Sequence, residues 1–179
     1  IEKKGKITAI EIIDKDRYKV LGDAIKEEFH MSFPYVFEYM GELYMVPETI
    51  SAKSIRLYKC TDFPLKWDYQ HDLMENVSAV DTMIFKYKNN WWLFTNLSKH
   101  HKKDHCSALY IYKSNSPLSQ EWEEHNGNPV VFDSRIGRNG GLLVDKNGDF
   151  IRSRQGQGFC AYGQKLTLAK ITELSQKSF

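Results

Sequence analysis

The sequence predicts an all-β, propeller-like fold with about three and a half blades, and three observations support it. Aromatic residues make up 13% of the 179 residues and lie in short runs that often alternate with polar residues, as half-buried strands require. Helical periodicity is nearly absent. The same order of strands and loops returns about every fifty residues, a period typical of propeller blades. The alternative is a β-sandwich with accidental aromatic spacing.

The first full copy of the repeat is predicted to be a meander of three or four strands. Two strands joined by a tight turn form a plausible hairpin, a third strand follows, and the next loop ends in a large aromatic anchor. In chain order these elements are strand 33–39, turn Met40-Gly41, strand 42–46, strand 54–60 and the loop that closes on Trp67.

Two further copies and one partial copy complete the pattern. The second copy comprises strand 82–87, turn 88–90, strand 91–95, strand 108–113 and a loop that closes on Trp122. The third begins at Gly140, with strands 142–145, 150–152 and 165–171. Residues 1–29, with strands 6–13 and 17–21, are expected to be the outer strands of a preceding blade.

No low-complexity or Pro/Gly/Ser-rich stretch divides the chain, so residues 1–179 are predicted to form one propeller-like domain. Propellers close with four to eight blades, and an open arc leaves two sheet edges unpaired. We therefore expect additional strands, an additional domain or a homo-oligomer to complete the ring.

Composition excludes several classes of partner. Twenty-five Lys and Arg against 23 Asp and Glu give a net charge of +2, too small for a field that recruits nucleic acid or acidic membrane. No apolar run reaches the roughly 20 residues that span a bilayer, and residues 1–6 lack a signal-peptide stretch. Three widely spaced cysteines argue against a disulfide scaffold, so a cytoplasmic location is expected. The sequence contains no cofactor-binding motif, and we predict no cofactor.

Several short motifs carry a family resemblance. His30-Met31-Ser32-Phe33-Pro34 is followed by a hairpin that ends in Pro47-Glu48. The other motifs, in order, are Asp81 before a strand, Trp91-Trp92-Leu93-Phe94, Trp122 with Asn128-Pro129, Arg138 before Gly140, and Arg152 with Gln155 ahead of Tyr162-Gly163. Over residues 25–174 this order resembles the amino-terminal domain of plant glucosamine inositolphosphorylceramide transferases and their bacterial relatives.

The resemblance implies a fold similar to the five-bladed arabinanase, levansucrase and invertase propellers. In the plant proteins glycosyl transfer is assigned to a separate domain, so the resemblance implies a glycan-associated module rather than an enzyme. Two positions depart from the family: Asn139 and Ser153 stand where Pro is usual. Both departures are expected to soften loops while keeping the guanidinium groups of Arg138 and Arg152.

The first candidate site contains two carboxyl groups. In a propeller the starts of the inner strands surround one opening, so His30, Ser32 and Asp81 are expected to converge there. Glycoside hydrolysis needs one protonated and one ionised carboxyl group, and Asp81 and Glu48 are the candidate catalytic pair. Glu48 follows a strand end, which predicts a different height from Asp81. Alternatively, Asp81 is a turn or cap residue and Glu48 is the partner of a nearby arginine.

The second candidate site is cationic and comprises Arg138, Arg152, Arg154 and Gln155. Guanidinium groups bind phosphate or carboxylate through paired hydrogen bonds, so an anionic sugar such as a sugar phosphate is the expected ligand. Alternatively, Arg138 and Arg152 pair with Asp81 or Glu48 across the channel. Tyr162, Trp91 and Trp92 are candidate stacking faces for a sugar, although adjacent Trp91 and Trp92 point to opposite strand faces.

A third cluster, 100–106, contains three histidines, an aspartate and a cysteine. Zinc or nickel binding is conceivable there, but two lysines in the loop favour a solvated hairpin loop, and we predict no metal site. The favoured function is a carbohydrate-associated propeller module that recognises a sugar or an anionic glycan. The alternatives are a glycosidase or glycosyl-transfer enzyme that uses Asp81 and Glu48, and a structural or oligomerising unit.

Overall fold

The computed structural model describes residues 4–99, 104–157 and 163–179. In these ranges the chain forms antiparallel β-strands and one 3-10 turn, Ile50–Ala52. The strands are β1 Ile7–Ile12, β2 Tyr18–Ile25, β3 Ser32–Tyr39, β4 Glu42–Glu48, β5 Ser54–Asp62, β6 Lys66–Glu75, β7 Ala79–Tyr87, β8 Asn90–Leu97, β9 Ala108–Ser114, β10 Glu123–Glu124, β11 Val131–Phe132, β12 Arg138–Val144, β13 Phe150–Gly156 and β14 Lys165–Lys170.

The strands form four successive sheets. We call them half-blade 1 (β1–β2), blade 2 (β3–β6), blade 3 (β7–β10, with β11 also paired to β9) and blade 4 (β12–β14). The innermost strand β7 contacts both β3 and β12, so the inner strands of three blades lie side by side. The predicted all-β, propeller-like arc of about three and a half blades is confirmed, and the β-sandwich alternative is wrong.

A separate apolar cluster lies between each pair of successive sheets. Met31 and Tyr58 belong to the cluster between half-blade 1 and blade 2. Trp91 packs between blades 2 and 3, whereas Trp92 packs between blades 3 and 4. The two indoles are only 8% and 2% exposed, so neither offers the stacking face for a sugar that the sequence suggested. Strands β4, β7, β8 and β9 bury residues on both faces, which explains their continuous apolar runs.

The loop-closing tryptophans confirm the repeat at the level of single atoms. Trp67 Nε1 donates a hydrogen bond to the Pro64 carbonyl at 2.9 Å, and Trp122 Nε1 donates to the Ser119 carbonyl at 2.7 Å. Each indole thus binds the carbonyl three residues before it, and each anchors the outer loop of its blade.

All three inner strands are bulged near their starts. The register shifts lie between Ser32 and Tyr35 in β3, between Val80 and Met83 in β7, and between Asn139 and Gly141 in β12. A bulge bends the strand and re-aims its side chains. Phe33 and Asp81 occupy matching places and both adopt a left-handed backbone, with φ of 45° and 50°.

Strand boundaries differ from the prediction where these bulges occur. β7 begins at Ala79, so Asp81 lies inside the strand and does not precede it. β12 begins at Arg138, and β13 extends to Gly156 and includes Gln155. A bulge interrupts the alternation of apolar and polar residues, so the pattern alone places each strand start too late. No helix in the described ranges is long and apolar enough to cross a bilayer.

Candidate functional site

Five polar side chains from three blades converge where the inner strands begin, and we call them the axial cluster: Ser32, Glu48, Asp81, Arg138 and Gln155. Ser32 starts β3 and pairs in register with Glu48, the last residue of β4. Asp81 lies in the bulge of β7. Arg138 starts β12 and pairs with Gln155 of β13. Blades 2, 3 and 4 therefore each contribute to one site.

Asp81 is the centre of the axial cluster. Its side chain is buried, and its Oδ2 accepts hydrogen bonds from Arg138 Nε at 2.6 Å and from Gln155 Nε2 at 3.3 Å. Both donors come from blade 4, so this carboxylate joins blades 3 and 4. The predicted alternative had Arg138 and Arg152 pairing with Asp81 or Glu48. The structure agrees for Arg138 but not for Arg152, whose guanidinium donates to Asn139 Oδ1 and to backbone carbonyls.

Glu48 and Asp81 are neighbouring carboxyl groups that influence each other's pKa, and the Ser32 hydroxyl acts on the pKa of Glu48 as well. Burial, and then the negative charge of Asp81, raise the pKa of Glu48 to about 7. Burial also raises the pKa of Asp81, although the Arg138 guanidinium opposes that shift. Glu48 is therefore protonated at acidic pH and loses its proton as the pH rises through about 7.

This geometry corrects the predicted placement of Glu48. The register pair with Ser32 brings Glu48 to the level of Asp81, and not to a different height. The two carboxyl groups are close enough to shift each other's pKa, whereas glycoside hydrolysis requires them to be about 5 to 9.5 Å apart with the substrate between them. The pair as it stands is arranged to bind polar groups, and a substrate would have to separate it before bond cleavage.

Sequence reasoning missed two neighbours of the cluster, His105 and Cys106. Arg138 Nη1 lies 3.7 Å from Cys106 Sγ, and the charge of His105 lowers the pKa of Asp81. His105 Nε2 also bonds Ser78 Oγ at 2.8 Å. The predicted loop 100–106 thus brings its last residues to the axial cluster. His100 and His101, named in the metal hypothesis, lie outside the described residues.

The sequence also missed Asn139, which holds the bulge of β7 in place. Asn139 is fully buried, and its Nδ2 donates to the Asp81 carbonyl at 2.9 Å. Its backbone N–H donates to Asn96 Oδ1 at 2.9 Å. A proline there could supply neither donor, so the departure from the family pattern adds bonds where the sequence predicted a softened loop.

The other predicted site residues lie elsewhere. His30 is exposed, and its Nδ1 accepts a hydrogen bond from the Gly5 backbone at 2.9 Å. Arg152 Nε donates to Asn139 Oδ1 at 2.8 Å, and Arg154 Nε donates to Thr167 Oγ1 at 3.2 Å. Tyr162 lies outside the described residues. The described contacts of His30, Arg152 and Arg154 therefore do not reach the carboxyl pair, and their ligand roles stay predictions.

An apolar cleft adjoins the axial cluster. It encloses about 300 Å³ between β3 and β12 and is lined by Phe33, Pro34, Tyr35, Gly140, Gly141 and Leu142. Phe33 follows Ser32, and Gly140 lies two residues after Arg138, so the cleft and the polar groups share the same strand starts. The site therefore combines apolar walls with hydrogen-bonding groups at one edge.

Sequence comparison identifies the family. The family described as "Glucosamine inositolphosphorylceramide transferase 1, N-terminal" matches residues 1–179. A protein named glucosamine inositolphosphorylceramide transferase 1 from Oryza sativa subsp. japonica is 37% identical over 166 residues, covering 90% of the chain. The chain belongs to this family. The protein of the same name from Arabidopsis thaliana is 34% identical over 182 residues, covering all of the chain. The chain spans only 22% and 23% of these relatives' lengths.

Solved structures support the fold of this glucosamine inositolphosphorylceramide transferase family domain. Native Bacillus subtilis arabinanase Arb43A superposes with a TM-score of 0.58 at 17% identity, covering 83% of the chain and 54% of the arabinanase. Bacteroides ovatus xyloglucan PUL GH43B superposes with a TM-score of 0.63 at 13% identity, covering 86% and 32%. These identities establish the fold alone. The predicted resemblance to the family and to arabinanase-like propellers is confirmed.

Proposed function

We propose that this domain is a carbohydrate-associated module that recognises a sugar at the axial cluster. The observation that carries the proposal is the convergence of Glu48, Asp81, Arg138 and Gln155 from three blades beside an apolar cleft. Sugars present apolar C–H faces and hydroxyl groups that need fixed polar partners. The cleft offers walls for the former, and the cluster offers acceptors and donors for the latter.

The charge of the cluster favours an uncharged sugar unit. Arg138 forms an ion pair with Asp81, and the raised pKa of Glu48, about 7, leaves that carboxyl group partly protonated at neutral pH, so the cluster carries little net charge. A sugar phosphate would have to break the Arg138–Asp81 ion pair and expose Asp81 to its own negative charge. We therefore propose neutral hydroxyls as the groups recognised here. Glucosamine is a further candidate, because the family relatives carry that sugar in their name.

Calorimetric titration of the protein with galactose, xylose and glucosamine tests this proposal. We expect at least one of them to bind, and Gln155→Ala to weaken that sugar about tenfold, because the side-chain amide that holds Asp81 at the edge of the site is removed. Gln120→Ala, at an exposed position in blade 3, is the matched control and should bind like the wild type. Equal affinities for Gln155→Ala and Gln120→Ala would refute recognition at the axial cluster.

A second candidate function is glycoside cleavage or glycosyl transfer. The observation that favours it is the proximity of Glu48, whose pKa is raised to about 7, to Asp81, which is ion-paired with Arg138, since such chemistry uses two carboxyl groups of different acidity. A screened library of aryl glycosides would show turnover that both Asp81→Asn and Glu48→Gln abolish. Turnover that survives either substitution would exclude these two groups as catalysts.

A third candidate, a purely structural role, rests on the ion pair that joins blades 3 and 4. Arg138→Glu separates this role from binding, because it places a third acid beside Glu48 and Asp81. If Arg138→Glu lowers the melting temperature while the affinity for the bound sugar stays unchanged, the cluster is structural and the recognition proposal fails. Loss of both supports recognition by a site that also joins the blades.

A further inference from the structure

Two arginines of β13 open onto a different pocket from the axial cluster. Successive side chains of a strand point to opposite faces of the sheet. Arg152 and Arg154 therefore share one face of β13, and Gln155 lies on the other. Both line a pocket of about 210 Å³ between β11 and the segment that follows β14. Its apolar wall includes Val130, Ile171 and Phe179.

Arg152 is a buried cation, and its hydrogen-bond partners among the described residues are neutral groups. It is 2% exposed, and its guanidinium donates to Asn139 Oδ1 and to the carbonyls of Ile136 and Gly137. No ion pair to Arg152 is found in the described residues. Burial and the positive charge of Arg154 lower the pKa of Arg152 to about 9, so it remains a cation at neutral pH. A buried charge without a counter-charge is costly.

Arg154 adds a second uncompensated cation to the same pocket. Its Nε donates to Thr167 Oγ1 at 3.2 Å, and no carboxylate in the described ranges pairs with its guanidinium. Lys170 also lines the pocket, but its ammonium group forms an ion pair with Asp149. Glu173 is the acidic residue of the lining, and it forms no ion pair with either arginine within the described part of the chain. The pocket therefore carries an excess of positive charge.

We propose that this pocket binds a small organic oxyanion, a carboxylate or phosphate carried on a short apolar body. The planar guanidinium of Arg154 can offer paired donors to such a group, and the anion supplies the counter-charge that Arg152 lacks. The apolar body lies along Val130, Ile171 and Phe179. This site is independent of sugar recognition at the axial cluster, and it is where the anion predicted from the arginines of the sequence would bind.

The test uses hexanoate, phenyl phosphate, inorganic phosphate and the uncharged hexanamide as probes. We follow the Arg154 Nε–H resonance by NMR and measure affinities by calorimetry at neutral pH. We expect hexanoate or phenyl phosphate to shift that resonance and to bind at least about tenfold more tightly than hexanamide, because charge-assisted hydrogen bonds carry the binding. Whichever of the two binds more tightly identifies the oxyanion as carboxylate or phosphate.

Matched variants locate the binding. Arg154→Gln should weaken the tighter probe about tenfold or more, whereas Arg17→Gln, which removes an exposed arginine from the β1–β2 turn, should not. Glu48→Gln should also leave this affinity unchanged, which separates the result from that of the sugar titration. Equal affinity for hexanoate and hexanamide, equal affinity in Arg154→Gln and Arg17→Gln, or no binding at millimolar concentrations would each overturn the proposal.

Discussion

At the scale of single residues, Glu48 makes the stability of the fold depend on pH. A carboxyl group whose pKa is higher in the folded protein than in the unfolded chain binds more protons when folded. The stability that this proton contributes is fully present below the ordinary pKa of 4.5 and is lost as pH rises through about 7. The expected dependence is therefore opposite to that of an ordinary ion-paired carboxylate, which stabilises the fold as pH rises.

We predict that the free energy of unfolding falls by about 2 kcal/mol between pH 4.5 and pH 8, after allowance for partial solvent screening at Glu48. In Glu48→Gln most of this fall should disappear, because the amide cannot ionise. Urea denaturation at several pH values measures the effect, and Glu75→Gln, at an exposed strand end, is the control. The same slope in Glu48→Gln and Glu75→Gln would show that Glu48 does not hold the proton.

Asn139 is a buried hydrogen-bonding residue on which the stability of the fold is expected to depend. Its side chain bonds the carbonyls of Asp81 and Phe94 and accepts a bond from Arg152. Asn139→Ala removes all three and leaves buried polar groups unsatisfied, so we expect a loss of about 3 kcal/mol of unfolding free energy. Chemical denaturation measures it against Asn126→Ala, an exposed position. A loss no larger than in Asn126→Ala would contradict the role given to Asn139.

The sequence could predict the members of the axial cluster and, as one alternative, the pairing of Arg138 with Asp81, but it could not decide between Arg138 and Arg152 as the partner of the carboxyl groups. Repeat positions and the family resemblance singled out Ser32, Glu48, Asp81, Arg138 and Gln155. Which arginine faces the carboxylates was hidden, because the bulge in β12 breaks the alternation by which side-chain direction is inferred. Asn139 was hidden for a related reason: a buried asparagine and a loop asparagine look alike until their neighbours are known.

At the scale of elements, the hairpins were predictable because particular turn residues mark them in the sequence. The outer strands were less predictable. The β3–β4 hairpin turns at Met40-Gly41 as predicted. By contrast, the sequence predicts a loop that closes on Trp67 and no strand after it, although β6 runs from Lys66 to Glu75. Its residues are mostly polar or exposed, so they lack the apolar period that marks a strand.

The β3–β4 turn allows a stabilising substitution. Met40 is 85% exposed and has a φ of 54°, and Gly41 follows with a φ of 78°. Asparagine tolerates this left-handed conformation better than methionine, and Asn-Gly is the favoured pair for such a turn. We expect Met40→Asn to raise the free energy of unfolding by about 0.5 to 1 kcal/mol, measured by urea denaturation. Met40→Leu should not, and an equal gain in both would refute the backbone explanation.

At the scale of the whole molecule, the arc has two apolar end faces. Ile12, Tyr18 and Val20 are more than half exposed on half-blade 1, and Leu166 and Leu168 are similarly exposed on blade 4. Blades 2 and 3 have a neighbouring sheet on both faces, whereas the end sheets each have one face without a neighbouring blade. Completion of the ring by additional strands, another domain or a second copy stays a prediction.

Exposed apolar faces of this kind favour self-association. We predict that residues 1–179 associate in a concentration-dependent manner and that a Leu166→Lys, Leu168→Glu double substitution suppresses this association. Sedimentation velocity measures it, and Met40→Lys, which changes an even more exposed apolar residue away from the end faces, is the control. A wild-type chain that remains monomeric at high concentration would contradict the prediction.

The tandem indoles of β8 have a consequence for the alignment of the arc. Trp91 and Trp92 point into different interfaces, so sliding β8 by one residue would move each ring to the opposite interface and disrupt the packing on both sides. A shift of β8 would therefore cost packing energy in both interfaces. These two rings therefore fix the register of β8 relative to the blades on both sides.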